Sequence, residues 1–77
     1  MKQNENMEVM LQNDKVVVYF DTRSENYIMV EIETNKATQL FNGNDTYEFM
    51  LELWLSNEFD YVDSNLLDLF EEEKAGK

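Results

Sequence analysis

Residues 37–73 hold ten carboxylates and no lysine or arginine, and the same segment carries the clearest helical repeat of the chain. Apolar residues recur there at intervals of three and four, which places them on one side of a helix: Tyr47, Met50, Leu51 and Trp54. Three acidic residues fall on the opposite side: Asp45, Glu48 and Glu52. The pattern predicts an amphipathic helix that begins with Asp45 as its N-cap and ends near Ser56.

A second helix is predicted after a short junction, with Asp63 or Ser64 as its N-cap. Its apolar arc consists of Leu66, Leu67, Leu69 and Phe70, and its acidic arc of Asp68, Glu71 and Glu72. Surface helices usually mix charges, because opposite charges one turn apart stabilise a helix and like charges destabilise it. The segment leaves its repulsion uncompensated, which indicates that the negative charge itself has a use.

The N-terminal half has the composition of strands. Segments 7–11, 15–21, 27–34 and 37–41 are rich in β-branched and aromatic residues, and polar turn residues separate them. In the third segment Ile28, Val30 and Ile32 fall on one face and Tyr27, Met29, Glu31 and Glu33 on the other, so we expect the three aliphatic side chains to face the helices. The sequence therefore predicts an α+β fold, a three- to four-stranded antiparallel β-meander followed by two C-terminal acidic helices.

The chain is short enough for a single domain, 1–77, in which we expect residues 1–6 and 74–77 to be flexible. Hydrophobic residues make up 43% of the chain, too many for a disordered protein despite the net charge of −11. No signal peptide fits the N-terminus and no apolar run could span a bilayer, so we expect a cytoplasmic protein.

The residue types exclude much of the usual chemistry of sites. The chain contains neither cysteine nor histidine, which removes thiolate and imidazole groups as nucleophiles, bases and metal ligands. Asp60, Asp63 and Asp68 lack the alternating spacing of a calcium loop. A carboxylate pair acting as acid and base needs a pocket that raises one pKa, for which so short a chain leaves little room. We therefore expect no enzymatic activity, no metal and no cofactor.

The charge predicts the kind of partner. A surface this negative is repelled by anionic lipid and by nucleic acid, so neither a membrane nor direct nucleic-acid binding is expected, and a basic protein is its natural complement. The candidate partner-binding carboxylates are Asp45, Glu48, Glu52, Glu58, Asp60, Asp63, Asp68, Glu71 and Glu72. A second candidate surface is one face of the sheet, with Tyr19, Tyr27, Met29, Glu31 and Glu33 as its contact residues.

Three alternatives stay open. The carboxylates can simply form a solvated face that keeps the protein soluble. The chain can be a small homodimeric structural or regulatory protein whose sheet face is the dimer interface, since a domain of this size has a small core. It can also be an acidic, antitoxin-like partner of a basic toxin.

In size, acidity and the order of a β-meander followed by acidic helices, the chain resembles small phage-borne anti-CRISPR and anti-restriction proteins that mimic DNA. The resemblance covers the whole chain but includes no diagnostic motif, so no residue role transfers from it. It implies a stoichiometric inhibitor that blocks the DNA- or RNA-binding groove of a basic bacterial defence protein, such as a CRISPR effector nuclease, in the cytoplasm of a bacterial host.

Overall fold

A computed structural model describes residues 6–76. Its N-terminal half is an antiparallel meander of four strands, β1 (Met7–Gln12), β2 (Val16–Asp21), β3 (Asn26–Glu31) and β4 (Lys36–Leu40). Helix α1 (Asn44–Ser56) follows, then a two-residue strand β5 (Tyr61–Val62) and helix α2 (Ser64–Ala75). The short β5 returns to pair with β1, which gives an antiparallel sheet in the order β4-β3-β2-β1-β5. The predicted α+β meander with two C-terminal helices is confirmed, and β5 is an addition to it.

Two hairpin turns of the meander end on a residue with left-handed backbone. Glu25 has φ 62° in the turn before β3, and Asn35 has φ 58° in the turn before β4. Asn commonly adopts this conformation, whereas Glu does so with more strain. Because the second turn occupies residues 32–35, β3 ends at Glu31, and the predicted strand over 27–34 is three residues too long.

Both helices pack on one face of the sheet. The buried cluster combines Leu11 and Val18 of the sheet with Met50 of α1 and with Leu66 and Phe70 of α2. From β3, Tyr27 and Met29 pack against this cluster.

The prediction that Ile28, Val30 and Ile32 face the helices is therefore wrong. Neighbouring residues of a strand point to opposite faces, so Ile28 and Val30 lie on the face away from the helices and Ile32 lies in the turn. Period-two alternation identifies the two faces of a strand, but the position of the helices decides which face is covered.

The two helices begin in different ways. Of the two predicted candidates, Asp63 and Ser64, it is Asp63 that caps α2, and its carboxylate accepts hydrogen bonds from the backbone N–H groups of Asn65 (3.2 Å) and Leu66 (3.3 Å). The N-cap of helix α1 is Gly43, two residues before the predicted one, and it makes no side-chain cap. The assignment of Asp45 as N-cap is wrong, and its carboxylate lies in the first turn, where the helix dipole favours negative charge.

The flexibility expected for residues 1–6 and 74–77 stays a prediction. Residues 1–5 and 77 lie outside the described part of the chain. Asn6 accepts hydrogen bonds at its carbonyl from the N–H and the hydroxyl of Thr22. Lys74 and Ala75 belong to α2. Within residues 6–76, neither helix is long and apolar enough to cross a bilayer.

Candidate protein-binding surface

Three of the predicted carboxylates form a row along the solvent side of α1. Asp45, Glu48 and Glu52 are exposed, while Thr46 and Met50 on the opposite side of the helix are buried. The row follows from helical geometry, because residues three and four apart are neighbours on a helix surface. The helix therefore presents these acids to solvent as one stripe.

A second row lies on the solvent side of α2. Asp68, Glu71 and Glu72 are exposed there, while Leu66 and Phe70 are buried beneath them. The two rows approach one another at Glu73, which lines a shallow surface depression together with Glu48 and Glu52 of α1. Glu73 was not among the predicted site residues. Its place on the helical wheel, away from the other acids of α2 and towards α1, was the signal that could have identified it.

Aromatic side chains hold the two rows in place from below. The ring of Phe70 stacks on Trp54 at 5.3 Å between centroids and lies 5.7 Å from the ring of Tyr47. Phe70 has 0% exposure, so this contact between the helices is dry. Lys74 places its Nζ 5.6 Å from the centroid of Trp54, in a cation–π contact. This arrangement fixes α2 against α1, and with it the relative positions of their carboxylates.

The charge of the α2 acids affects the pKa of Tyr47. Burial raises the pKa of the Tyr47 hydroxyl above its ordinary value, and the nearby charges of Glu73 and then Glu72 raise it further. Tyr47 belongs to α1 and both glutamates to α2. The negative charge of α2 thus extends to the surface of α1.

The three remaining predicted acids lie in the junction between the helices, in different surroundings. Glu58 and Asp60 are exposed, whereas the carboxylate of Asp63 is engaged in capping α2. The backbones of Glu58 and Asp60 are each tied to the sheet side by a hydrogen bond. The Asn13 side-chain amide donates to the Glu58 carbonyl (3.3 Å), and the Asp60 N–H donates to the Gln12 carbonyl (2.8 Å). Both exposed acids therefore have fixed backbones.

The basic residues of the described region lie mostly on the sheet. Lys15 follows β1, Arg23 is in the turn after β2, and Lys36 begins β4. Among residues 6–76, Lys74 is the single basic residue on the two helices. The helical layer is therefore almost purely negative, whereas the sheet and its turns carry both signs, with six acids beside these three bases.

The predicted sheet-face set is divided by the structure. Tyr27 and Met29 pack against the core on the helix side, and Tyr19 points to the other face. Glu31 lies at the end of β3, where its carboxylate accepts a hydrogen bond from the Thr34 hydroxyl (3.1 Å). The five residues predicted for this face, Tyr19, Tyr27, Met29, Glu31 and Glu33, do not form one surface, and Tyr27 and Met29 contribute to the core instead.

Tyr27 has a polar neighbourhood on the covered face. Burial raises the pKa of its hydroxyl, and the charge of Asp63 adds to the effect. Its ring lies 5.1 Å from that of Phe20 on the adjacent strand. Tyr27 of the sheet therefore lies near Asp63, the N-cap of α2.

An open groove of about 690 Å³ lies between α1 and the sheet. Phe49 and Leu53 of α1 form one wall, and Met29 lies in the other.

Within residues 6–76, no group of three or more acidic side chains is arranged to hold a metal ion. The chain matches no protein-family model, no curated protein and no solved structure.

Proposed function

We propose that this protein is a non-enzymatic inhibitor whose acidic helices imitate the charge of nucleic acid. Its target is a basic nucleic-acid-binding protein of bacterial defence, such as a CRISPR effector nuclease, in the cytoplasm of a bacterial host. The observation that supports this most is the concentration of carboxylates on the solvent side of the helices. The acids of α1 and α2 point to solvent above an apolar core, and within residues 6–76 Lys74 is the only base on either helix.

The spacing of the carboxylates suits groups that normally bind phosphates. With a rise of about 1.5 Å per residue, successive acids of the α1 row are about 4.5 and 6 Å apart along the helix axis. Phosphates of duplex DNA recur at a comparable scale, about 3.4 Å of axis per step along each strand. Lysine and arginine side chains of a target groove can therefore pair with Asp45, Glu48 and Glu52 in succession.

Occupation of the groove is sufficient for inhibition, and no bond needs to be made or broken. The inhibitor and the nucleic acid compete for the same cations, so a target cannot hold both. Since exposed charges are screened over about 8–10 Å at 0.1–0.15 M salt, the complex weakens steeply as salt rises. The net charge of −11 also accelerates the encounter with a basic groove.

The decisive experiment captures the target and asks whether nucleic acid competes for it. The immobilised protein is incubated with bacterial lysate, and the retained protein is identified by mass spectrometry and purified. Duplex DNA or guide-loaded target complexes are then added in a binding assay. We expect mutually exclusive binding and a steep salt dependence. A retained partner that binds nucleic acid and this protein at the same time contradicts the proposal.

A charge-reversal pair of variants localises the binding surface. Replacing Glu48, Glu52 and Asp68 by Lys should abolish binding while circular dichroism stays native, since all three are exposed. The control reverses Glu8, Asp14 and Glu25, which are exposed on the sheet and its turns and change the net charge by the same amount. Equal loss in both variants would indicate a general effect of charge, and equal retention would favour a merely solvated helix face.

A further inference from the structure

We propose that the outer edge of β4 is an interface with a second copy of this chain, in which two β4 strands pair antiparallel into one continuous sheet. This assembly is independent of the target that the helices bind. The two five-stranded sheets would then share a central pair of β4 strands. Such a contact uses one surface patch twice, as in the commonest class of homodimer.

Strand β4 has the exposure that such pairing requires. It is the last strand of the sheet on its side, so its backbone groups pair with β3 on one edge only. Four of its residues are exposed and Leu40 is half-buried. None of them belongs to the helix-covered core. Edge strands are ordinarily protected by proline, by bulges or by charge. Lys36 at its start is the only charged residue in β4, and the strand contains no proline.

The opposite edge of the sheet does not offer the same surface. Strand β5 contains only two residues, and the chain continues directly into α2. The single register irregularity between β1 and β2 also lies towards that side, next to Met10. A continuous five-residue edge is therefore present at β4 and not at β5, within the described part of the chain.

Charge favours a second copy at this edge over any other place on the molecule. From residue 34 to residue 44 the chain has no carboxylate, and Lys36 supplies a positive charge. Two chains of net charge −11 repel each other, so they meet most easily where neither carries negative charge. The carboxylates of both helices lie outside residues 34–44, so both chains can approach by this edge.

Pairing centred on Thr38 also covers an apolar side chain that is exposed in the single chain. Thr38 would face itself across the two-fold axis, and Phe41 would lie opposite Asn35 of the second copy. Asn35 is the last residue of the turn before β4. Phe41 is 74% exposed. The symmetric pairing therefore covers Phe41 once on each side of the axis.

The first test is the mass in solution as a function of salt. Sedimentation of the whole chain at about 0.2 mM should show a species of twice 9.2 kDa that becomes more populated from about 0.05 to 0.5 M salt, because screening removes repulsion between like chains. Target binding is expected to weaken over the same range, so failure of one proposal is distinguishable from failure of the other. A chain that remains monomeric throughout overturns the β4 interface.

The second test uses the self-contact of Thr38. Like charges directly opposite each other destabilise a strand pair, so Thr38→Glu and Thr38→Lys should each raise the dimer dissociation constant at least about tenfold. An equimolar mixture of the two variants should dimerise again, because opposite charges then face each other. Ser56→Glu, an exposed site at the end of α1, serves as the control and should leave dimerisation unchanged. Dimers of Thr38→Glu alone at wild-type affinity overturn the proposal.

A third measurement does not depend on charge or on affinity. The natural chain contains no cysteine, so a single introduced thiol can only link one copy to another. Thr38→Cys should form a disulfide-linked dimer under mild oxidation, because residues facing each other across a strand pair approach within disulfide range. Ser56→Cys should link far more slowly. Equal rates for the two variants overturn the interface.

Discussion

Strands β1 and β4 belong to one sheet but have opposite surroundings. Leu11 of β1 is 0% exposed beneath the helices, and β1 pairs with strands on both of its edges. In contrast, four of the five residues of β4 are exposed and its outer edge is unpaired. Stability is therefore concentrated where the helices cover the sheet, and β4 is left available for contacts between chains.

The same division separates the charges. The helices that cover β1 and β2 carry the two rows of carboxylates, whereas residues 34–44, which include β4, carry none. Among the four strands of the meander, β4 is the one without a carboxylate, and it is also the one that the helices leave uncovered. Under the two proposals above, these regions have different uses, with a basic target bound at the helices and a second copy of the chain at β4.

The largest expected difference is in the free energy of unfolding, between a variant that lacks a buried aromatic ring and one that lacks an exposed ring. Phe70→Ala removes a ring with 0% exposure that contacts Tyr47 and Trp54, and we expect a loss of about 3–5 kcal/mol in the free energy of unfolding. Phe41→Ala removes a ring that is 74% exposed and should change it by less than about 0.5 kcal/mol. Urea unfolding at low chain concentration measures both. Similar losses would contradict the division into a covered and an uncovered side.

A smaller effect is expected at the turn between β1 and β2. The Asn13 side chain is 8% exposed, accepts from the N–H groups of Lys15 and Val16, both at 2.8 Å, and donates to the Glu58 carbonyl. Asn13→Ala leaves these partners unpaired and should cost about 1–3 kcal/mol.

Asn42→Ala is the matched control for Asn13, because Asn42 is exposed in the connection after β4. Urea unfolding should show little change for it. If the two variants lost the same stability, the link from the β1–β2 turn to the junction before β5 would contribute nothing measurable.

A gain in stability is expected in the turn before β3. Glu25 has φ 62°, and a non-glycine residue in this conformation is strained by about 1–2 kcal/mol. Glu25→Gly should raise the unfolding midpoint, with a net gain of up to about 1 kcal/mol after the larger loss of backbone entropy for glycine. Asn35→Gly, at φ 58°, should gain less because Asn tolerates this conformation better. A loss of stability at Glu25→Gly would contradict this prediction.

The smallest effect is a change in stability that is confined to alkaline pH. It depends on the burial of two tyrosines and on the acids near them. The raised pKa values of Tyr47 and Tyr27 mean that the folded state favours the neutral hydroxyls. This stability is fully present below the unfolded pKa of 10.0 and is lost as the pH rises through the folded values. The double variant Tyr27→Phe, Tyr47→Phe should lose stability less steeply above pH 10.0 than the natural chain. Urea titrations at several pH values measure the slope, and equal slopes would contradict the assignment.

Much of the candidate surface was predictable because it depends on local periodicity. The spacing of Asp45, Glu48 and Glu52 determines that they share one side of any helix they form, whatever that helix packs against. Asp63 as a cap followed from its position before an apolar repeat. The helical wheel of α2 separates Glu73 from the other acids, but only the packing of α2 against α1 brings it beside Glu48 and Glu52.

The covered face of the sheet was predicted wrongly for a physical reason. Ile28 and Val30 form the more uniformly apolar side of β3, yet Tyr27 and Met29 face the helices. Glu31 lies on the same side of β3 as Tyr27 and Met29. It ends the strand, beyond the buried cluster, and it is exposed. Its charge therefore costs the covered face little, and the large side chains of Tyr27 and Met29 fill the space under the helices.

By itself, the amino-acid sequence determined the order of the four meander strands and the two helices and the concentration of carboxylates on those helices, because these depend on neighbours within a few residues. The tertiary structure decided which side of the sheet is buried, which residue begins α1 and how β5 joins β1 through Leu11 and Val62. It also decided that β4 lies beyond the cover of the helices. These features depend on contacts between segments distant in sequence, whose free energies no local pattern contains.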